Sequence, residues 1–179
     1  MPLQVLPDPL ALLRPVSKVI TASYTRPADT TAYAAGDVLA DSTSAATILT
    51  FSGVSRANGL GYLIDGVTLV YSTAPATKAD LELWLFDTSI TIQNDNAAWN
   101  PTDSDLEKSL GYVSLLGSGA IVAAPSGSNG NMIQHVEAKV KSRASASSST
   151  NLYGIVVVRN AYTPSSAEKF TFRLHVIQD

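Results

Sequence analysis

The chain has only two histidines, His135 and His175, and no cysteine, so the side chains that most often do chemistry near neutral pH are scarce. Acyl transfer by a serine needs an imidazole oriented by a carboxylate. His175 falls on the polar side of an alternating stretch at the C-terminus, and His135 lies among charged residues on another. Serines abound, but none sits in Gly-x-Ser-x-Gly, the sharp turn that presents a nucleophile. A glycosidase needs two carboxylates facing each other across a cleft, and Glu82, Glu107, Glu137 and Glu168 are scattered with nothing to pair any two.

Metal and phosphate sites fare no better. Zinc needs convergent His, Cys or carboxylate ligands at short spacing, and that spacing is missing. Asp87, Asp95, Asp103 and Asp105 share one connection with Asn94, Asn96 and Asn100, which are oxygen ligands suited to Ca²⁺. They lack EF-hand spacing, and Asp and Asn are ordinary turn and cap residues, the reading preferred here. Gly117-Ser118-Gly119 follows a strand but leads to no helix, so it is no phosphate cradle. Tyr33, Trp99 and Tyr162 lie in loops, where a ring can stack on a sugar or plug the end of a β-sandwich; the plug is preferred. The expectation is a protein with no catalytic residue, no metal and no cofactor.

Composition narrows the classes further. Hydrophobic residues make up 45% of the 179, enough for one domain with a substantial core. Charged residues make up only 15%, well below the usual quarter or so, and Ala, Ser, Thr and Gly fill the difference. Such a surface suits close packing against protein more than charge steering. With a net charge of −3 and no basic stripe, nucleic-acid binding is not expected; Lys139, Lys141 and Arg143 sit beside Glu137 as a solvated strand end. The apolar run Leu10–Leu13 is too short for a signal-peptide core, and no stretch is long enough to span a bilayer. The expectation is a soluble protein with no membrane partner.

The elements that would hold any site are strands. Residues 1–17 read as an extended arm, because Pro2, Pro7, Pro9 and Pro15 forbid regular helix and remove donors. Its Leu3, Val5, Leu6, Leu10, Leu12 and Leu13 should pack on their own domain or dock on a neighbour. From residue 18 to 179 the texture is strand and turn. Lys18–Thr25, Gly36–Asp41, Thr47–Ser55, Gly59–Thr73, Asp80–Asp87, Leu110–Leu116, Ile121–Ala123, Met132–Lys141, Leu152–Val158 and Lys169–Ile177 are the expected strands. In Gly59–Thr73, Leu63, Val67, Leu69 and Tyr71 are expected on one face, with a bulge or kink at Asp65-Gly66. In the last strand Phe170, Phe172, Leu174 and Val176 point inward. Met132–Lys141 alternates like a half-buried strand, although Ile133, Val136 and Val140 also fit a helix face. Thr102 or Asp103 caps one turn of helix. Many short strands without amphipathic helices specify an all-β fold, a jelly-roll-like β-sandwich.

Arg26–Ser42, Arg-Pro-Ala-Asp-Thr-Thr-Ala-Tyr-Ala-Ala-Gly-Asp-Val-Leu-Ala-Asp-Ser, resembles a segment near the start of small virion structural proteins of tailed bacteriophages. The resemblance extends more loosely through Ile64–Val67, Leu81–Asp87 and Tyr153–Val157. It implies a capsid decoration or cement protein: a jelly-roll domain, made in the host cytoplasm, that binds the capsid exterior and ties capsomers together. Its implied partners are the major capsid protein and neighbouring copies of itself, as a dimer or trimer. The arm leucines with Val5, together with Trp99, are then the candidate protein-contact residues. The alternative is a head-fibre, tail-tip or receptor-binding domain whose loops recognise host surface glycan.

Overall fold

The computed structural model describes residues 15–74, 77–122, 132–143 and 149–179. Most of the expected arm, including Leu3, Val5, Leu6, Leu10, Leu12 and Leu13, lies outside the described residues. The strands are β1 (Val16–Thr25), β2 (Val38–Leu39), β3 (Leu49–Phe51), β4 (Gly61–Tyr71), β5 (Leu81–Phe86), β6 (Ser109–Leu115), β7 (Ile121–Val122), β8 (Met132–Arg143), β9 (Leu152–Val158) and β10 (Lys169–Gln178). A single helical turn, α1 (Asp103–Leu106), interrupts the connection from β5 to β6. Thr102 is its N-cap, its hydroxyl accepting the Asp105 N–H and so satisfying one of the donors a helix start leaves open.

All pairings are antiparallel. The first sheet runs β1-β10-β4-β8-β7 and the second β2-β9-β5-β6, with β3 also paired to β9. If β2 and β3 count as one interrupted strand and β7 as an addition, the eight remaining strands, lettered B to I, give B-I-D-G and C-H-E-F. That is the jelly-roll order, and it places the first strand beside the last: Ile20 stands opposite Leu174 and Ala22 opposite Phe172. The expected fold is therefore the observed one.

Alternation builds the core. Ile20, Ala22 and Tyr24 of β1, Phe170, Phe172, Leu174 and Val176 of β10, and Leu81, Leu83 and Leu85 of β5 all point between the sheets and are buried. Space there is tight at Gly154, where a Cβ would come within 3.0 Å of Leu83 Cδ1 and 3.1 Å of Phe51 Cε2, so a larger residue would make these side chains shift. The helical alternative for Met132–Lys141 fails, since β8 pairs along its length with β4.

One expected face needs correction. Leu63 was expected to share a face with Val67, Leu69 and Tyr71. Toward β10, Val176 pairs with Ile64 and His175 with Gly66, leaving Asp65 as an extra residue, and toward β8 the register also shifts between Ile64 and Gly66. The bulge at Asp65-Gly66 shifts the alternation, so Tyr62 and Ile64 point inward before it and Val67, Leu69 and Tyr71 after it. Leu63 turns to the opposite face.

A second apolar cluster forms on the outside of the second sheet. Val38, Ala40, Phe86, Ile90, Ile155 and Val157 are buried there, with Trp84, Trp99 and Tyr153 packed against them. The connection following β5 returns across this face, held by the Trp99 N–H donating to Gly36 O and the Val38 N–H to Ala97 O. Among the described residues the two sheets thus differ: one has its outer face covered by chain, and the other does not.

Candidate functional site

The open outer face of the first sheet gathers the residues most able to act. Strand register sets the rows: Val19, His175, Gly66 and Glu137 in one, and Thr21, Arg173, Thr68 and His135 in the next. Val19, Thr21, Arg173, His135 and Glu137 are solvent-exposed. The two histidines, 40 positions apart in the sequence, flank β4 because β10 and β8 are its two neighbours. Their ring centroids are 5.1 Å apart and nearly perpendicular.

The buried hydroxyl of Thr68 joins them. Its Oγ1 lies 2.8 Å from His135 Nδ1 and 2.9 Å from His175 Nε2. A hydroxyl carries one proton and two lone pairs, so it donates to one ring and accepts N–H from the other. That arrangement fits two neutral imidazoles. Burial lowers the His175 pKa from its ordinary value, with the neighbouring His135 and Arg173 pushing in the same direction against the opposing charge of Asp65. Asp65, Gly66, Glu137, Lys139 and the two histidines line a shallow depression of about 250 Å³. Both rings bond to a hydroxyl rather than to a carboxylate. Among the described residues no group of three or more His, Cys, Asp or Glu converges as a metal site.

The segment Arg26–Ser42 closes one end of the sandwich around a buried polar node. The Arg26 Nε donates to the Tyr33 hydroxyl at 3.0 Å, and its NH2 reaches Asp29 Oδ1 at 2.9 Å and Asp95 Oδ2 at 3.5 Å. Asp95 Oδ1 accepts from the Tyr33 hydroxyl at 2.5 Å and from the Ala40 N–H at 2.8 Å. Burial raises the Asp95 carboxyl above its usual range, opposed by those two donors and the guanidinium. Tyr33 stacks on Tyr162, whose hydroxyl donates to the buried Glu168. The Arg26, Tyr33 and Asp95 contacts tie the segment to the loop carrying Asp95, which is structural work.

The remaining sequence candidates separate accordingly. Asp95 belongs to the node, Asp105 bonds Thr102 and Lys108, and the Thr88 hydroxyl donates to Asp87, so these carboxylates serve turns and caps. Tyr33 and Tyr162 are 2% and 1% exposed, beyond reach of a sugar. Trp99 is half-buried, its ring 6.3 Å from Trp84 and 6.4 Å from Phe86. A groove of about 350 Å³ separates Ala22–Thr25 of β1 from Asp41 and Thr47–Thr50 at the opposite edge of the sandwich. The sequence reading missed Thr68 altogether. Its signal was the outward position next to two strands that each carry an outward histidine, visible only once the strand order is known.

No protein-family model matches the chain, and no curated protein matches its sequence. Among solved structures, the chain is similar to one described as the acidic stable capsid structure of Helicobacter pylori bacteriophage KHP30. The identity is 13%, covering 92% of this chain and 91% of that one, with a TM-score of 0.33. It is also similar to a chain in the structure of Triatoma virus, at 13% identity over 96% of this chain and 67% of that one, with a TM-score of 0.28. At such scores neither likeness bears on what this chain does. Among the described residues no helix is long and apolar enough to cross a membrane.

Proposed function

We propose that this chain is a structural component of a tailed-bacteriophage virion, a decoration or cement protein that binds the capsid exterior and stabilises contacts between capsomers. The observation that carries the reading is the placement of the Arg26–Ser42 segment, where the phage resemblance is strongest. Its residues are spent on closing the sandwich, through the buried Arg26, Tyr33, Val38 and Leu39. Among the described residues, one sheet offers an uncovered outer face on which Val19, Thr21 and the two histidines stand beside Arg173, Glu137 and Lys139. The open edge of β1, beside the groove at Asp41 and Thr47–Thr50, suits strand addition by an extended neighbour. Such surfaces fit repeated contacts in a symmetric shell, and the role calls for no catalysis. Its partners are the major capsid protein and further copies of itself.

Purified particles test the reading. The protein should be present in stoichiometric ratio to the major capsid protein and be released from intact heads without loss of DNA under mild conditions. Absence from purified particles would overturn it.

A further inference from the structure

The first sheet ends in an open strand edge. β1 pairs with β10 on one side, and among the described residues nothing pairs with the other. A free edge is a row of N–H and C=O groups that invites a further strand, and proteins often blunt it with proline, a bulge or a very short strand. β1 has ten residues, none of them proline, and it keeps one register with β10 throughout. At its far end, Ala22–Thr25 face Asp41 and Thr47–Thr50 across the groove of about 350 Å³. Asp41, the one charged side chain in that lining, is already occupied: it accepts the Thr47 N–H at 2.8 Å and the Thr47 hydroxyl. The edge and its groove therefore suit an extended backbone rather than an ion.

Residues 3–13 carry the matching sequence. Leu3, Val5, Leu6, Leu10, Leu12 and Leu13 are apolar, and Asp8 is the one charge. Pro7 and Pro9 stand two apart, so in an extended chain both missing N–H groups fall on the same side. Leu6, Asp8 and Leu10 keep their donors on the other. Such a segment pairs along one side only, and its prolines stop any further strand from adding beyond it. Those are the properties of a strand added at the rim of a sheet. Extended, residues 3–14 reach about 40 Å, against about 33 Å for the ten residues of β1.

Where this segment joins the domain decides whose edge it reaches. It leads directly into β1, so to lie on its own edge the chain must reverse between Leu13 and Val16. A tight reversal of that kind relies on Gly, Asn or Asp, and Arg14-Pro15 supplies none of them. Pro15 holds its φ negative and biases Arg14 to extended backbone, so the chain runs on from β1 rather than back along it. A reversal at Pro7-Asp8-Pro9 would set Leu3–Leu6 beside Leu10–Leu13. It would leave them short of Ala22, which lies about 20 Å into β1. We infer that residues 3–13 of one copy add as a strand to the open β1 edge of a second copy, covering its groove at Thr47–Thr50. Exchange of an identical element between copies is a low-cost route to a symmetric assembly. The inference rests on the strand addition proposed above and names the strand that is added.

Disulfide cross-linking of the full chain tests it, since the chain has no cysteine of its own. Chains carrying Leu6→Cys, Leu10→Cys or Leu12→Cys are each mixed with a chain carrying Thr50→Cys and oxidised. Mass spectrometry should find at least one of these positions joined to position 50, and none joined to Ser114→Cys on the exposed outer face of the second sheet. Sedimentation velocity should show reversible self-association of wild type. Leu10→Pro, which removes a donor from the pairing side, should weaken it about tenfold, and Leu10→Ala, which keeps that donor, should weaken it less. Ala11→Pro, on the side of Pro7 and Pro9, should stay within about twofold of wild type. Thermal melts check that Thr50→Cys folds, and Thr47→Cys replaces it if it does not. A monomeric wild type overturns the inference, as does a Leu10→Cys, Thr50→Cys double variant that links only within one chain. Failure of every position to link, equal linking to Ser114→Cys, or an Ala11→Pro as weak as Leu10→Pro overturns it too. A chain that is monomeric yet stoichiometric on purified particles sinks the inference and leaves the virion reading standing. A chain that self-associates in this way but is absent from particles does the reverse.

Discussion

The ring of His135 occupies the space that a side chain at Gly66 would need. A Cβ at position 66 would come within 2.9 Å of His135 Cε1 and 3.2 Å of its Nε2. The close approach of the ring is what favours glycine here. Gly66→Ala should push the imidazole away from Thr68 and break one hydrogen bond, costing about 1 kcal/mol. Urea unfolding would show the loss, and the His135→Ala background should remove most of it.

Protonation of His175 should make stability depend on pH. The folded-state pKa of His175 lies below its ordinary 6.5, chiefly through burial. As pH falls, the unfolded chain takes up that proton first, so the unfolded state is favoured. The contribution is fully present above pH 6.5, declines as pH drops from there to the folded value, and is level below it. NMR titration should place the His175 midpoint under 6.5. In His135→Gln the midpoint should rise yet stay below 6.5, because burial remains.

The buried node should be costly to break from one side. Arg26 and Asp95 have side chains 0% and 1% exposed. Removing one partner leaves the other as an uncompensated buried charge, so Arg26→Ala should destabilise by about 3–5 kcal/mol. Asp95→Asn should cost less, since its amide oxygen still accepts from the Ala40 N–H. Replacing both by leucine should cost less than the sum of the single changes. Chemical denaturation of the four proteins forms the required double-mutant cycle.

These sites show what could be read before any coordinates. Alternation was legible wherever a strand is half-buried: in β10 the order Phe170, Phe172, Leu174 and Val176 needs only a period of two. In β5 the same period of two sets Trp84 and Phe86 opposite Leu83 and Leu85, toward the outer cluster. Pairing between distant strands was not legible. Nothing local tells that residue 68 will lie between 135 and 175, because that depends on strand order. Leu63 was misplaced for a related reason: a bulge can be suspected from Asp65-Gly66, but which side of it inverts depends on the register of both neighbours. The Arg26–Asp95 pair spans two loops 69 positions apart in sequence, and Asp95 reads locally as one more turn residue.

Trp99 gives a direct test of plug against contact residue. Its ring covers Trp84 and Phe86 on the outside of the second sheet, so Trp99→Ala should expose that cluster. With the ring half-buried, the loss should be about 2 kcal/mol, below the range for a fully buried aromatic. A stability within error of wild type, coupled with loss of glycan or particle binding, would make Trp99 a contact residue instead.

Residues 1–14 can be removed without touching β1, which begins at Val16 and pairs with β10 through to Thr25. That strand is anchored by Ile20, Ala22 and Tyr24, and the Tyr24 hydroxyl donates to Leu39 O at 2.8 Å. If the apolar arm, with Leu3, Val5, Leu6, Leu10, Leu12 and Leu13, docks on a capsid neighbour, the truncated chain should melt within a few degrees of wild type. Its binding to particles lacking the protein should fall by at least tenfold, the loss of about 1.4 kcal/mol or more of contact energy. If the arm instead lies on its own sandwich, removing six large apolar residues should lower the melting temperature by ten degrees or more, at about 4–8 °C per kcal/mol in a small domain and somewhat less in one of this size. A truncated chain with both melting temperature and particle binding unchanged would leave the arm no part in either, and the contact would have to be sought on the open sheet face.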